Sequence, residues 1–165
     1  NIFPKHFRWH WPNSKKSQKE HKTQTMSTSS NMITVEALIE APVQKVWSYY
    51  NEAAHIVNWN FAIDSWHCPK SEVDFQVGGK FSSTMAAKDG SFSFDFWGIY
   101  DVINDLSHIA YTMGDSRKAT VDFESAGNAT RVTICFEAET QNPAEMQKGG
   151  WQAILDNFKK YTEAN

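Results

Sequence analysis

The chain has 165 residues, enough for one well-filled domain and too few for two comfortable ones. Its net charge of −3 is unevenly split: residues 1–25 carry six Lys/Arg against Glu20 alone, leaving ten basic and eighteen acidic residues, a net −8, from Met26 onward. That acidic body disfavours nucleic acid, no run approaches the roughly 18 apolar residues of a membrane helix, and 14% aromatic residues, with seven Trp and eleven Phe, must be buried somewhere.

Residues 1–31 show no periodicity and run through Pro4, Pro12 and polar stretches such as Ser14-Lys15-Lys16-Ser17 and Ser27-Thr28-Ser29-Ser30. They read as a disordered basic tail, and the part before Met26 reads as non-native sequence rather than an arm for membranes or nucleic acid. The basic, apolar, small-residue order of a secretory signal is missing, so a cytoplasmic location is expected. Cys68 and Cys135 lack the short spacings of a zinc or redox motif and read as ordinary thiols.

From Ile33 the pattern changes. Ile33, Val35, Ala37 and Ile39 alternate with Thr34, Glu36, Leu38 and Glu40, which predicts a first strand with one apolar face. Ala41-Pro42 breaks it, and Val43, Val46, Trp47 and Tyr50 then follow at helical spacing, so an amphipathic helix turns Trp47 inward. His55–Trp59 predicts a second short helix, and residues 61–68 a second strand ending at Cys68-Pro69. Gly78-Gly79 marks a turn into a third strand over Lys80–Lys88, and Lys88-Asp89-Gly90-Ser91 is a hairpin signal.

The fourth strand is the clearest segment. Phe92, Phe94, Phe96, Gly98, Tyr100 and Val102 share one face, while Ser91, Ser93, Asp95 and Asp101 share the other. Gly98 marks a bend or a close approach of neighbouring chain. Residues 109–113, 119–123 and 132–138 repeat the alternation as neighbouring antiparallel strands. After Asn142-Pro143, residues 144–163 put Trp151, Ile154, Leu155, Phe158 and Tyr161 on one stripe of a helix about 30 Å long. Gly149-Gly150 costs that helix roughly 1 kcal/mol each, which implies a need for close approach or for room.

This order of strand, two helices, six strands and long helix carries Ala41-Pro42 with Val46-Trp47, Asp74 through Gly78-Gly79-Lys80-Phe81, Gly98-x-Tyr100, and Gly150-Trp151 before Leu155. It resembles the SRPBCC superfamily (START/Bet v 1-like), and within it the branch named after the activator of Hsp90 ATPase homologue 1, over residues 32–164. The resemblance implies an α+β helix-grip fold, a curved antiparallel seven-stranded sheet wrapped around a long C-terminal helix, with two short helices after the first strand and a cavity between sheet and helix. Members bind lipids, hormones or polyketides, some cyclise or hydrate substrates, and the eukaryotic namesake stimulates a chaperone, so the fold alone does not select one activity.

The residues expected to line such a cavity are Trp47, Trp59, Phe61, Trp66, Phe81, Ser83, Met85, Phe94, Phe96, Tyr100, Tyr111, Phe123, Trp151 and Leu155. Each buried ring or aliphatic chain also stabilises the fold by about 1.5–3 kcal/mol, so filling a core is reason enough for most of them. Ser83, Ala87 and Gly98 interrupt the rings and favour a hollow, in which Ser83, Tyr100 and Tyr111 would orient a small apolar ligand of roughly 15–20 heavy atoms.

No catalytic constellation, metal site or cofactor is expected. His67 and Cys68 are adjacent on a strand and point to opposite faces, Asp95 lies on the wet face, His108 falls in a turn, and neither His55 nor Asp64 has a partner in spacing. A cyclase- or hydratase-like enzyme using a cavity Tyr or His stays open. A chaperone contact through Asp95, Trp97, Asp101, Asp122 and Glu124 also stays open, as does a homodimer contact or a Trp97 lying flat on the sheet.

Overall fold

A computed structural model describes residues 31–165. The expected tail lies outside the described residues except for Asn31, whose carbonyl accepts a hydrogen bond from the Ala138 N–H. In chain order the elements are β1 (Met32–Ile39), α1 (Val43–Asn51), α2 (Ala53–Ile56), β2 (Trp66–Val73), β3 (Lys80–Ala87), β4 (Ser93–Asn104), β5 (His108–Met113), β6 (Lys118–Ala126), β7 (Ala129–Glu137) and α3 (Ala144–Ala164).

The strands form one antiparallel sheet in the order β1-β7-β6-β5-β4-β3-β2. From β2 to β7 each strand pairs with the next, and β1 then joins β7 with Met32 opposite Glu137 and Ile39 opposite Thr130. Period-two alternation sends Val35 and Ile39, Val121 and Phe123, and Val132, Ile134 and Phe136 to one buried face. α3 lies on that face, where Leu155 and Phe158 are sealed from water and Phe158 meets the rings of Tyr50 and Trp59 edge-on. The sheet curls around this helix, so the expected α+β helix-grip architecture is the one observed.

Both sheet edges are blunted. Along β1, Gln152 Nε2 donates to the Glu36 carbonyl at 3.0 Å and Lys159 Nζ to the Leu38 carbonyl at 2.6 Å, so α3 side chains occupy acceptors that could recruit another strand. On β2, Pro69 sits where the register with β3 shifts between His67 and Lys70.

That proline corrects one expectation. The second strand does not run over 61–68 and stop at Pro69; it begins at Trp66 and continues through Pro69 to Val73. Proline lacks an N–H for the ladder, but at an edge bulge none is required. A second correction concerns Val102, expected on the apolar face. The register shifts between Tyr100 and Val102, so Asp101 and Val102 both oppose Ala110, Val102 is turned out to 39% exposure, and Ile103 takes the inward place opposite Ile109. His108 opens β5 rather than lying in a turn, with Nδ1 2.6 Å from Asp122 Oδ1.

Trp97 lies flat on the outer face. A β-carbon on Gly114 would come within 2.3 Å of its indole, and Lys80 Nζ stands 4.5 Å above the ring. The carboxylates around it are engaged: Asp95 accepts from Thr84 Oγ1 and Asp101 from Thr112 Oγ1.

Candidate functional site

α3 packs chiefly on β1, at one edge of the sheet. Between it and the middle strands lies a partly enclosed hollow of about 140 Å³. Its floor follows from alternation: Phe81, Ser83 and Met85 of β3 stand directly opposite Gly98, Phe96 and Phe94 of β4, and Tyr100 stands opposite Tyr111 of β5. Phe81 meets Tyr111 edge-on at 4.9 Å and Tyr100 at 5.2 Å. Ser83 bonds Ser71 on β2 at 3.0 Å, and its small side chain beside these rings leaves depth where a larger one would fill the space.

The roof is the first half of α3, with Gly150, Trp151, Ile154 and Leu155. Trp151 stacks on Phe136 at 4.0 Å and meets Phe96 edge-on, which fixes its indole at the wall. A β-carbon on Gly149 or Gly150 would meet nothing within 4 Å, so the glycine pair does not serve a close approach of chain; Gly150 leaves room at the hollow. Tyr50 and Asn51 from the end of α1, with Ile56 and Trp59, close a third side. Asn51 is buried, with Nδ2 donating to the Trp47 carbonyl at 2.9 Å.

Of the residues expected at a cavity, Trp59, Phe81, Ser83, Met85, Phe94, Phe96, Tyr100, Tyr111, Trp151 and Leu155 are brought together here. The other four are placed elsewhere. Trp47 and Phe123 pack on each other at 5.0 Å in the core, where Phe123 also meets Tyr50. Trp66, at the start of β2, meets Phe92 and Phe94. Phe61 lies in the loop between α2 and β2, where its carbonyl accepts from Asn157 Nδ2. Alternation and helical spacing identify inward residues but do not separate lining a hollow from filling a core.

Sequence reasoning missed Tyr50, Asn51 and a polar end made by Arg117, Glu139, Asn142 and Gln147. Tyr50 was on the inward stripe of α1, and Arg117 could have been found by counting back from Phe123, Val121 and Ala119 along β6. Glu139 is tied into its own loop, accepting from Gln141 N, Asn142 N and Asn142 Nδ2 at 2.6–2.9 Å.

Three phenols dominate the electrostatics. Burial raises the pKa of Tyr50, Tyr100 and Tyr111 above the ordinary 10.0, and for Tyr50 and Tyr111 the neighbouring phenols add to it, while the Arg117 charge opposes the rise at Tyr111. All three are therefore neutral O–H donors at physiological pH. None of their hydroxyls is bonded to another described residue, although Tyr161, outside the hollow, bonds His55 Nδ1 at 2.9 Å. Cys68 is buried and its thiol is pushed up to about 11, chiefly by loss of hydration, so it is a poor nucleophile. Both cysteines are free, and among the described residues no three His, Cys, Asp or Glu side chains cluster as a metal site and no helix is long and apolar enough to cross a membrane.

The fold and its sequence agree with a known family. Residues 40–163 match the family described as activator of Hsp90 ATPase homolog 1-like protein. Among solved structures, the AHSA1-like protein from Aeromonas hydrophila is 43% identical, with 81% of this chain and 92% of that one covered at a TM-score of 0.77. A protein of Cytophaga hutchinsonii is 50% identical over 82% of this chain and 94% of its own, at a TM-score of 0.71. A Chromobacterium violaceum protein at 22% identity shares the fold, with 82% and 99% covered and a TM-score of 0.73. A comparison with curated proteins gave no match. With the match running from Glu40 to Glu163 and two relatives above 40% identity, the chain belongs to the activator of Hsp90 ATPase homolog 1-like family, within the SRPBCC superfamily.

Proposed function

We propose that the protein binds a small, ring-bearing apolar molecule in the hollow between the sheet and α3. The observation that carries this reading is the set of three unbonded phenol hydroxyls, on Tyr50, Tyr100 and Tyr111, in a hollow whose sheet side is mainly aromatic and aliphatic and whose polar groups gather at one end. These hydroxyl oxygens are not sealed from solvent, so their O–H donors are free for a ligand that supplies acceptor oxygens. The volume supports a ligand smaller than the 15–20 heavy atoms expected from sequence. At about 140 Å³ it is close to the roughly 150 Å³ engineered cavity in another protein that takes up benzene, so one ring with a short substituent suits it.

The alternatives have less behind them. The hollow's sole carboxylate among the described residues, Glu139, is held by three N–H donors of its own loop, and its phenols stay protonated, which leaves a cyclase or hydratase without an evident base. On the outer face the carboxylates beside Trp97 already have partners, which weakens that surface as a chaperone contact. Titration of the 15N-labelled protein with cinnamyl alcohol tests the binding reading. Saturable shifts centred on Tyr50, Phe81, Tyr100, Tyr111 and Trp151 are expected, and no saturable shift, or one centred on the outer face, would overturn it.

A further inference from the structure

We propose that Arg117 makes the preferred ligand an aromatic carboxylate, its guanidinium receiving the acid group at the polar end of the hollow while the ring lies among the phenols. This rests on the binding reading above and goes further, because it assigns the chemical class. Arg117 directly precedes β6, and counting back by twos from the inward Val121 and Ala119 places it on the inner face. It is the sole cation among the described lining residues, and its side chain is only 12% exposed.

Two hydrogen bonds fix the guanidinium plane. Nε donates to Asp115 Oδ2 at 2.7 Å and Nη1 to the Glu137 carbonyl at 2.8 Å. Nη2 bonds to no described residue, and it is not sealed from solvent. A planar, permanently charged fork with one arm spare is suited to a carboxylate oxygen, which a neutral hydroxyl cannot match in strength. Arg117 and Tyr111 both line the hollow, and the Met113 N–H bonds the Arg117 carbonyl two residues along β5 from Tyr111, so an acid group at this end has a cationic and a neutral donor on the same face.

Nearby carboxylates work against an anion, but each is matched by donors already aimed at it. Asp115 takes the Arg117 backbone N–H and Nε, and Glu139 takes three N–H groups from its loop. Charges farther away than a Debye length, about 8 Å at physiological salt, are screened, so the net −8 carried from Met26 onward opposes an anion only through its nearest members.

Cinnamate and cinnamyl alcohol carry the same ring and chain and differ in the acid group, so the two are titrated in parallel at neutral pH while the Arg117 Nε–H resonance is followed. Cinnamate is expected to bind about tenfold tighter, as a charge-assisted hydrogen bond implies, and to move that resonance. Arg117→Gln should remove the preference, lowering cinnamate affinity about tenfold more than that of the alcohol, while Arg117→Lys should keep part of the preference. Equal binding of the two ligands to the wild-type protein, an unmoved Arg117 signal, or an equal loss of both in Arg117→Gln would overturn the assignment while leaving the hollow as a binding site. Binding of neither ligand would overturn the hollow reading and this inference together. Should Arg117→Gln fail to fold, the wild-type comparison decides alone.

Discussion

The ring of Phe81 lies against the backbone of Gly98 on the next strand, so close that a β-carbon on residue 98 would stand 2.7 Å from Phe81 Cζ and 2.8 Å from the Thr112 carbonyl oxygen. Phe81 is a wall of the hollow, so the absence of a side chain at 98 sets where that wall stands. Gly98→Ala should destabilise the fold by about 1–3 kcal/mol, the usual cost of an overpacked site, read as a lower denaturation midpoint in urea.

Glycine in α3 should respond with the opposite sign. A β-carbon on the exposed Gly149 meets nothing within 4 Å, and its helical backbone suits alanine. Gly149→Ala is therefore expected to stabilise by about 1 kcal/mol through helix propensity alone, raising the melting temperature. No gain would mean that the helix is not formed at this turn in solution.

Core and wall should be distinguishable by truncation. Phe158 is fully buried against Tyr50 and Trp59, so Phe158→Ala should cost about 3–5 kcal/mol. Phe96 already borders open space and is only half-buried, and Phe96→Ala should cost less, about 1–2 kcal/mol. Equal losses in chemical denaturation would contradict the hollow.

These contrasts mark how far the sequence could be read. Alternation in β1, β6 and β7 is uninterrupted, so their inward residues were legible, and the stripe through Leu155 and Phe158 located α3. Val102 was misread because a bulge changes which face a residue takes, and nothing local in Asp101-Val102 announces it. Pro69 was misread as a stop because its tolerance depends on β2 being an edge strand, a fact of sheet order. Trp47 and Trp59 were both expected at the cavity, yet one packs on Phe123 and the other borders the hollow, a difference set by tertiary packing rather than by local pattern.

Alkaline pH should weaken the fold. The folded state holds the Cys68 thiol at about 11 against an ordinary 9.0, and holds Tyr50, Tyr100 and Tyr111 above an ordinary 10.0. The unfolded chain releases these protons first, so stability is intact below about pH 9 and falls as pH rises through 9 to 11 and beyond. Denaturation midpoints measured across that range should fall, and Tyr111→Phe should make the fall shallower. In the native protein at neutral pH, Cys68 should resist alkylation while the unfolded chain reacts readily.

The most direct test places a side chain in the hollow without disturbing the fold. Gly150 borders the hollow from α3, and a β-carbon there meets no atom within 4 Å, so Gly150→Leu should fill space while improving the helix. Calorimetric titration with cinnamate is expected to give saturable binding to the wild-type protein and at least a tenfold loss in Gly150→Leu, with the variant melting no lower than wild type. Undiminished binding by a folded Gly150→Leu protein would contradict the claim that the ligand lies between the sheet and α3.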